Sequence, residues 1–131
     1  MSLNILIVDD SDTVRAIIAK TLHIAGVPVN QIHQAANGVE ALALLRENWI
    51  DLIFSDINMP EMGGVELVEQ MQEDEVLRTI PVVVVSTEGS ATRIESLKAK
   101  GVRAYIRKPF SPEQVRSVVM DIMGEIDGSN E

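Results

Sequence analysis

The sequence contains no cysteine and only two histidines, and these shortages exclude several kinds of site. Without cysteine the chain cannot form a disulfide, a catalytic thiol or a thiolate metal site, and two isolated histidines disfavour a zinc centre. Aromatic residues make up only 3% of a chain that is 46% hydrophobic, so the core must be mainly aliphatic. Any bound metal should therefore be a hard cation with oxygen ligands.

Long apolar runs and an excess of positive charge are also lacking. No apolar run approaches the roughly 20 residues needed to cross a bilayer, and the N-terminus shows no basic segment followed by a cleavage site. We therefore expect a cytoplasmic protein. The formal net charge of −9 opposes direct binding to nucleic acid or to anionic lipid.

The 131 residues suit one domain, and short apolar runs within it predict the strands. Four runs are rich in β-branched residues and end in polar residues, as buried strands do; a fifth is weaker and predicts an edge strand. The four buried strands are predicted at residues 4–8, 52–54, 82–85 and 104–106, and the edge strand at 31–35.

Helical patterns fill the intervals between these runs. The first has apolar residues at Val14, Ile17, Ile18 and Leu22 and ends before Gly26. Asn37 with Glu40, and Ser111 and Pro112 with Gln114, are typical of helix starts, and two further helices are predicted from about residues 64 and 90.

Strands that alternate with helices imply right-handed crossovers and a parallel sheet. The sequence thus predicts an α/β, doubly wound, five-stranded parallel sheet with helices on both faces. The weak second strand favours the order 2-1-3-4-5, with a switch point between strands one and three. We expect this domain to span residues 1–126 and residues 127–131 to form a flexible tail.

Ligands bind such sheets beyond the carboxyl ends of the strands, so the residues that follow each run are candidates for a site. These residues are Asp9, Asp10, Asp56, Ser86 and Lys108. Neighbouring carboxylates repel one another unless a cation offsets their charge, and an all-oxygen cluster favours Mg²⁺. A remaining carboxylate can attack phosphorus when a metal and a fixed cation neutralise the transferring group.

Four motifs carry a family resemblance: LIVDDS at residues 6–11, DINMPEMGG at 56–64, VST at 85–87 and KPF at 108–110. Together, in this order, they resemble the receiver domain of bacterial two-component response regulators, and most of all the single-domain chemotaxis type. The resemblance covers nearly the whole chain and implies a flavodoxin-like fold. It also implies a signalling switch in a phosphorelay, with chemotaxis as one such pathway.

The resemblance implies a role for each residue of the site. Asp56 would be the phosphoacceptor, with Lys108 as the cation that contacts the phosphoryl group, commonly followed by a cis peptide bond. Asp10 and Asp56 would bind Mg²⁺ through their side chains and Asn58 through its carbonyl, while Asp9 would act mainly through water.

Further residues would control switching and hydrolysis. By the same resemblance, Ser86 is the switch hydroxyl and a catalytic partner, and Tyr105 is the switch aromatic. Asn58, Thr87 and Glu88 would tune attack by water on the phosphoryl group. Ser86 stands where threonine is commoner, which keeps the hydroxyl, and Thr87 stands where a smaller alanine is frequent.

The implied partners are a sensor histidine kinase or a phosphotransfer protein, and a downstream protein. The latter would bind the face formed by the fourth helix, fifth strand and fifth helix, with Ile94, Tyr105 and Arg107 as contacts. The chain would not be an enzyme for external substrates, although it would catalyse its own phosphoryl transfer and autodephosphorylation.

Three alternatives remain open from the sequence. The first is an aspartate-nucleophile phosphatase, which usually has a second acid where this chain has Asn58. Another is a flavin binder, although the loop after the first strand carries acids in place of a phosphate cradle. The chain could also be the receiver fragment of a longer regulator.

No role is expected for His23 or His33, and Trp49 is expected to be a packing residue.

Overall fold

The structure is a computed structural model that describes residues 2–87 and 90–127. Across these residues five strands alternate with five α-helices. The elements are β1 (Leu3–Val8), α1 (Asp12–Ile24), β2 (Val29–Ala35), α2 (Gly38–Glu47), β3 (Leu52–Ser55), α3 (Gly64–Gln72), β4 (Val82–Ser86), α4 (Ala91–Ala99), β5 (Ala104–Arg107) and α5 (Pro112–Asp127), with a short 3₁₀ turn at Leu77–Thr79. Within the described residues no helix is long and apolar enough to span a membrane.

The strands form one parallel sheet in the order β2-β1-β3-β4-β5, which confirms the predicted topology. Strand β2, the weak run in the sequence, lies at one edge. The chain reverses its direction of travel across the sheet between β1 and β3, and their register pairs Val8 with Ser55. The residues that follow these two strands therefore begin at the same level of the sheet.

Successive side chains of the strands enter two separate cores, one on each face of the sheet. Leu6 and Ile53 pack in the core under α2, α3 and α4. Ile7 and Phe54, each the next residue along, pack in the core under α1 and α5. Because both faces are covered, the central strands β1, β3 and β4 are almost wholly apolar, whereas the edge strand β2 carries several polar residues.

Two helix starts follow the predicted capping patterns, with one difference. The Ser111 hydroxyl accepts a hydrogen bond from the Gln114 N–H, and the Gln114 side chain accepts one from the Ser111 N–H. The Asn37 side chain likewise accepts from the Glu40 N–H, but the Glu40 carboxylate accepts from the N–H of Ala36 and not from that of Asn37.

Two predictions of packing are wrong. Ile17 is 51% exposed, because α1 turns Ile18 and Leu22 toward the sheet and leaves Ile17 at the side of the buried stripe. Trp49 is 77% exposed, and its indole N–H donates a 2.9 Å hydrogen bond to the Asp51 carboxylate.

The end of the chain was expected to form a tail at residues 127–131. Helix α5 includes Asp127, and residues 128–131 lie outside the described part of the chain.

Candidate functional site

Three carboxylates meet at the carboxyl edge of the sheet. Asp9 and Asp10 follow β1, and Asp56 follows β3, where its N–H donates to the Val8 carbonyl at 2.9 Å. One carboxylate oxygen from each acid lies within 4.8 Å of one from each of the other two. Asp9 is buried, Asp56 is half-buried and Asp10 is exposed. We refer to these three residues as the acidic cluster.

Lys108, which follows the edge strand β5, supplies a positive charge to this cluster. Its N–H donates to the Ser86 carbonyl at 2.9 Å, which continues the pairing of β4 with β5 beyond the end of the strands. Its Nζ lies 3.5 Å from Asp9 Oδ2 and 3.9 Å from Asp56 Oδ2. The peptide bond between Lys108 and Pro109 is cis, as the resemblance implied.

The Asp56 carboxyl is less acidic than an ordinary aspartate. Burial raises its pKa above the usual 3.8, while the N–H of Ile57 and the Lys108 ammonium lower it and the charges of Asp9 and Asp10 raise it further. The Ile57 N–H donates to Asp56 Oδ1 at 2.7 Å, so the Oδ2 oxygen faces Lys108. Asp56 therefore has one oxygen fixed by the backbone and the other beside a cation.

The loop after Asp56 is held close to the site by two glycines. The Gly64 N–H donates to the Ile57 carbonyl at 2.8 Å, and a side chain at Gly64 would collide with the main-chain carbonyl of Asp56. A Cβ added at Gly63 would lie 2.5 Å from the Ile57 carbonyl oxygen. The glycines of the DINMPEMGG motif thus permit the start of α3 to pack directly on the loop that carries Asp56.

The remaining predicted residues differ in how deeply they are buried. Ser86 ends β4 and is buried, whereas Asn58 and Thr87 are exposed. The Tyr105 side chain is half-buried and packs against the core under α4, and among the described residues none hydrogen-bonds its buried hydroxyl. Glu88 lies outside the described residues.

The sequence did not single out Arg15, which also reaches the site. Its guanidinium donates to the main-chain carbonyl of Asp9, and only 12% of its side chain is exposed. The sequence indicates Arg15 only through its position one turn after Ser11, which is the N-cap of α1. His23 and His33 do not belong to the acidic cluster.

The donor set of the acidic cluster fits a hard divalent cation. All three candidate ligands are carboxylates, and Lys108 is the ammonium paired with two of them, so negative charge is left in excess. A cation such as Mg²⁺ prefers oxygen ligands, usually keeps several waters and takes one or two carboxylates from the protein. The cluster can therefore hold such an ion and still leave an oxygen of Asp56 free to react.

Comparison with known sequences identifies the same family that the four motifs resemble. A family model described as the response regulator receiver domain matches residues 5–120. A chemotaxis protein CheY homolog from Campylobacter jejuni is 36% identical over 127 residues, which cover 96% of each chain. Chemotaxis protein CheY1 from Helicobacter pylori is 35% identical over 126 residues, covering 95% of this chain and all of the relative.

Solved structures show the same similarity. The chemotaxis response regulator CheY4 of Vibrio cholerae has a TM-score of 0.82 at 33% identity, with 93% of this chain and 99% of that chain covered. The CheX-CheY-BeF3-Mg+2 complex from Borrelia burgdorferi has a TM-score of 0.80 at 29% identity, with 92% and 89% covered.

Proposed function

Because the chain belongs to the response regulator receiver domain family of two-component systems, we propose that Asp56 is its phosphoacceptor and that phosphorylation switches its protein contacts. One observation carries this proposal: Asp56 Oδ2 lies 3.9 Å from the Lys108 Nζ, while a carboxylate oxygen of Asp56 lies within 4.8 Å of one from Asp9 and one from Asp10. Phosphoryl transfer to a carboxylate needs a metal and a fixed cation near the reacting oxygen, and these residues would supply both.

Mg²⁺ is the proposed cofactor, bound by the side chains of Asp10 and Asp56 and by the carbonyl of Asn58, with Asp9 acting mainly through water. When bound, the ion neutralises charge on the transferring phosphoryl group. The all-carboxylate donor set supports this assignment, and the Borrelia burgdorferi complex, which includes a similar chain, is a complex with the same metal.

In the proposed transfer, Asp56 Oδ2 attacks the phosphorus of a phosphohistidine on a kinase or phosphotransfer protein. The new bond joins this oxygen to phosphorus, the phosphorus–nitrogen bond breaks, and the histidine ring leaves and takes up a proton. The Ile57 N–H holds Oδ1 and so keeps the carboxylate turned toward Lys108. Lys108 stabilises the added negative charge throughout.

Ser86 and Tyr105 are the proposed switch. Ser86 lies at the end of β4, where its hydroxyl can donate to a phosphoryl oxygen, and such a bond to a charged group contributes about 1.5 to 3 kcal/mol. That free energy shifts a two-state ratio by roughly ten- to a hundredfold. The position of the Tyr105 ring under α4 would report this shift to the surface.

The downstream partner is proposed to bind the output face, which we define as the exposed side of α4, β5 and α5. A cavity of about 420 Å³ there is lined by Ile94, Tyr105, Arg107 and Val118 among others, so the ring of the switch residue borders the face itself. The relatives named as chemotaxis proteins support chemotaxis as the pathway. A cytoplasmic location stays a prediction.

Dephosphorylation is proposed to be intrinsic and self-limiting. Asn58 and Thr87 are exposed and follow Asp56 and Ser86 closely, so their polar side chains can influence how water reaches the phosphoryl group. Glu88 keeps the role that the resemblance implies. We expect the phosphoryl group to be released over minutes to hours.

Intact-mass spectrometry with Mg²⁺ and acetyl phosphate tests the proposal. The wild type should gain a single phosphoryl group, because an aligned carboxylate and metal do not require a kinase for the chemistry. The Asp56→Asn variant and the wild type with chelator should gain none. Asp51→Asn is the matched control, since Asp51 is another half-buried aspartate but lies outside the acidic cluster. An undiminished adduct in Asp56→Asn would refute the assignment.

A further inference from the structure

Arg15 makes a set of contacts beside the acidic cluster that phosphoryl transfer itself does not use. Its Nη1 donates to the main-chain carbonyl of Asp9, its Nη2 pairs with the Asp12 carboxylate, and its Nε donates to the Gln34 side chain at 3.0 Å. One guanidinium therefore links the loop after β1, the first turn of α1 and the edge strand β2.

Of these three contacts, the one with the Asp9 carbonyl bears most directly on the acidic cluster. Asp12 is 92% exposed, and a pair with so exposed a partner contributes little to stability. The Asp9 carbonyl, in contrast, belongs to the peptide that joins Asp9 to Asp10, and its direction determines how the chain enters Asp10. Arg15 thus acts on the backbone between two members of the acidic cluster.

Asp9 has other contacts that fix both its backbone and its side chain. Its N–H donates to the Ala35 carbonyl at 3.0 Å, and its Oδ1 accepts from the Ser11 N–H at 2.9 Å. Asp10 is exposed, so the direction of its carboxylate follows mainly from the backbone that carries it. Loss of the Arg15 contact should therefore disturb Asp10 more than Asp9.

We infer that Arg15 is a positioning residue for the metal: it holds the peptide between Asp9 and Asp10 so that the Asp10 carboxylate is presented to Mg²⁺. This inference rests on the function proposed above for the same site. Groups that orient metal ligands typically change metal affinity by about 10- to 100-fold when they are removed. Lys108 has a different role, because its ammonium lies beside carboxylate oxygens and not beside the backbone.

The geometry of the guanidinium matters as well as its charge. A planar guanidinium can donate in several directions at once, whereas an ammonium acts as a point charge on a flexible stem. Arg15→Lys keeps the charge but cannot bridge Asp9, Asp12 and Gln34 together. It should therefore restore only part of the metal affinity that Arg15→Gln loses.

Calorimetric titration with MgCl₂ tests the inference on the full chain. Arg15→Gln should bind Mg²⁺ about 10- to 100-fold more weakly than the wild type, with Arg15→Lys between them. Asp12→Asn, which leaves the Asp9 contact in place, and Lys20→Gln, which removes an exposed cation of the same helix, should stay within about twofold.

Labelling by acetyl phosphate over a range of Mg²⁺ concentrations separates positioning from a general loss of structure. In Arg15→Gln the half-saturating Mg²⁺ concentration should rise, while the rate at saturating Mg²⁺ stays within about threefold of wild type. A lowered unfolding temperature with an unchanged Mg²⁺ Kd would assign Arg15 a structural role and overturn the inference.

If Arg15→Gln does not fold, Arg15→Lys decides, and wild-type Mg²⁺ affinity in that variant would overturn the inference alone. Absence of Mg²⁺ binding by the wild type would overturn the proposed function and this inference together.

Discussion

Replacement of Asp56 by asparagine should stabilise the metal-free protein, because the fold holds this carboxylate in an unfavourable place. Burial is the largest cause of its raised pKa. Asparagine has nearly the same shape and keeps an oxygen to accept the 2.7 Å hydrogen bond from the Ile57 N–H. The variant therefore removes the charge and leaves the main local contact intact.

The attraction of Asp56 to Lys108 and its repulsion by Asp9 and Asp10 nearly cancel. Burial therefore decides whether the Asp56 charge destabilises the fold. At an effective dielectric constant of about 20, charges 3.9 Å apart, as for Lys108 and Asp56, attract by about 4 kcal/mol, and charges 4.8 Å apart, the upper limit of the separations within the acidic cluster, repel by about 3.5 kcal/mol. Asp9 is buried and repels Asp56 at about that strength, whereas Asp10 is exposed and solvent reduces its repulsion to about 1 kcal/mol.

Desolvation of an ion costs several kcal/mol in a fully buried site, and Asp56 retains 17% exposure. We therefore expect Asp56→Asn to raise the free energy of unfolding by about 1 to 2 kcal/mol at pH 7 without Mg²⁺.

The pH dependence of this gain has a definite sign. Since the folded pKa of Asp56 lies above 3.8, the native state holds its proton longer than the unfolded state as pH rises. The wild type thus loses stability relative to the variant between about pH 4 and the folded pKa, and the difference is constant above that pKa.

Mg²⁺ should reverse the order of stability. A ligand at a hundredfold excess over its Kd stabilises the state that binds it by about 2.7 kcal/mol, and the variant binds Mg²⁺ more weakly.

Urea unfolding curves at pH 7 and pH 4, with and without Mg²⁺, measure all of these effects. Asp51→Asn is the control: its carboxylate accepts hydrogen bonds from the Asn4 N–H and the Trp49 indole, so the change should not stabilise the fold. An Asp56→Asn variant that is less stable than wild type at pH 7 without Mg²⁺, or that gains the same stability at both pH values, would contradict this effect of burial.

Three further variants test other parts of the account. Asp10→Asn should weaken Mg²⁺ binding at least about tenfold by calorimetry, and wild-type affinity would remove Asp10 from the ligands. Ser86→Ala should still accept a phosphoryl group at Asp56 but lose most of the phosphorylation-dependent NMR shifts around Tyr105; the full wild-type pattern would exclude this route of coupling. Gly64→Ala should lower the free energy of unfolding by about 1 to 3 kcal/mol, because the added methyl collides with the Asp56 carbonyl, and an unchanged urea midpoint would contradict that packing.

The core of the site could be predicted because it depends on topology alone. Parallel strands present their carboxyl ends at one edge of the sheet, so the residues that follow the neighbouring strands β1 and β3 must approach one another, and Lys108, two strands away after β5, reaches them with its long side chain. The observed register of Val8 with Ser55 places Asp9 and Asp56 in this way. Nothing finer than the end of each apolar run was needed for that prediction.

Arg15 could not be predicted on the same basis. Helical periodicity gives the face on which a residue lies, but not the direction taken by the end of a long side chain. The guanidinium reaches the Asp9 carbonyl only because α1 returns over β1, with the Gln34 side chain from the adjacent strand β2 beside it. Such a contact depends on three elements at once.

Trp49 is the reverse case, a residue whose predicted packing role the structure contradicts. Trp49 lies before β3 and not beside Asp56, which favours a packing role, and a large aromatic residue is usually buried at least in part. Its neighbours Leu45 and Ile50 are buried in the adjacent core, whereas Trp49 stays at the surface, where its indole N–H donates to Asp51.

Locating the phosphoryl group on the chain tests directly whether Asp56 is the phosphoacceptor. Borohydride reduces an aspartyl phosphate to homoserine, and tandem mass spectrometry of the digested protein then identifies the converted residue. After treatment with Mg²⁺ and acetyl phosphate, the account predicts homoserine at position 56 and unmodified aspartate at Asp9 and Asp10. Homoserine at either of those two positions, with Asp56 unmodified, would contradict it.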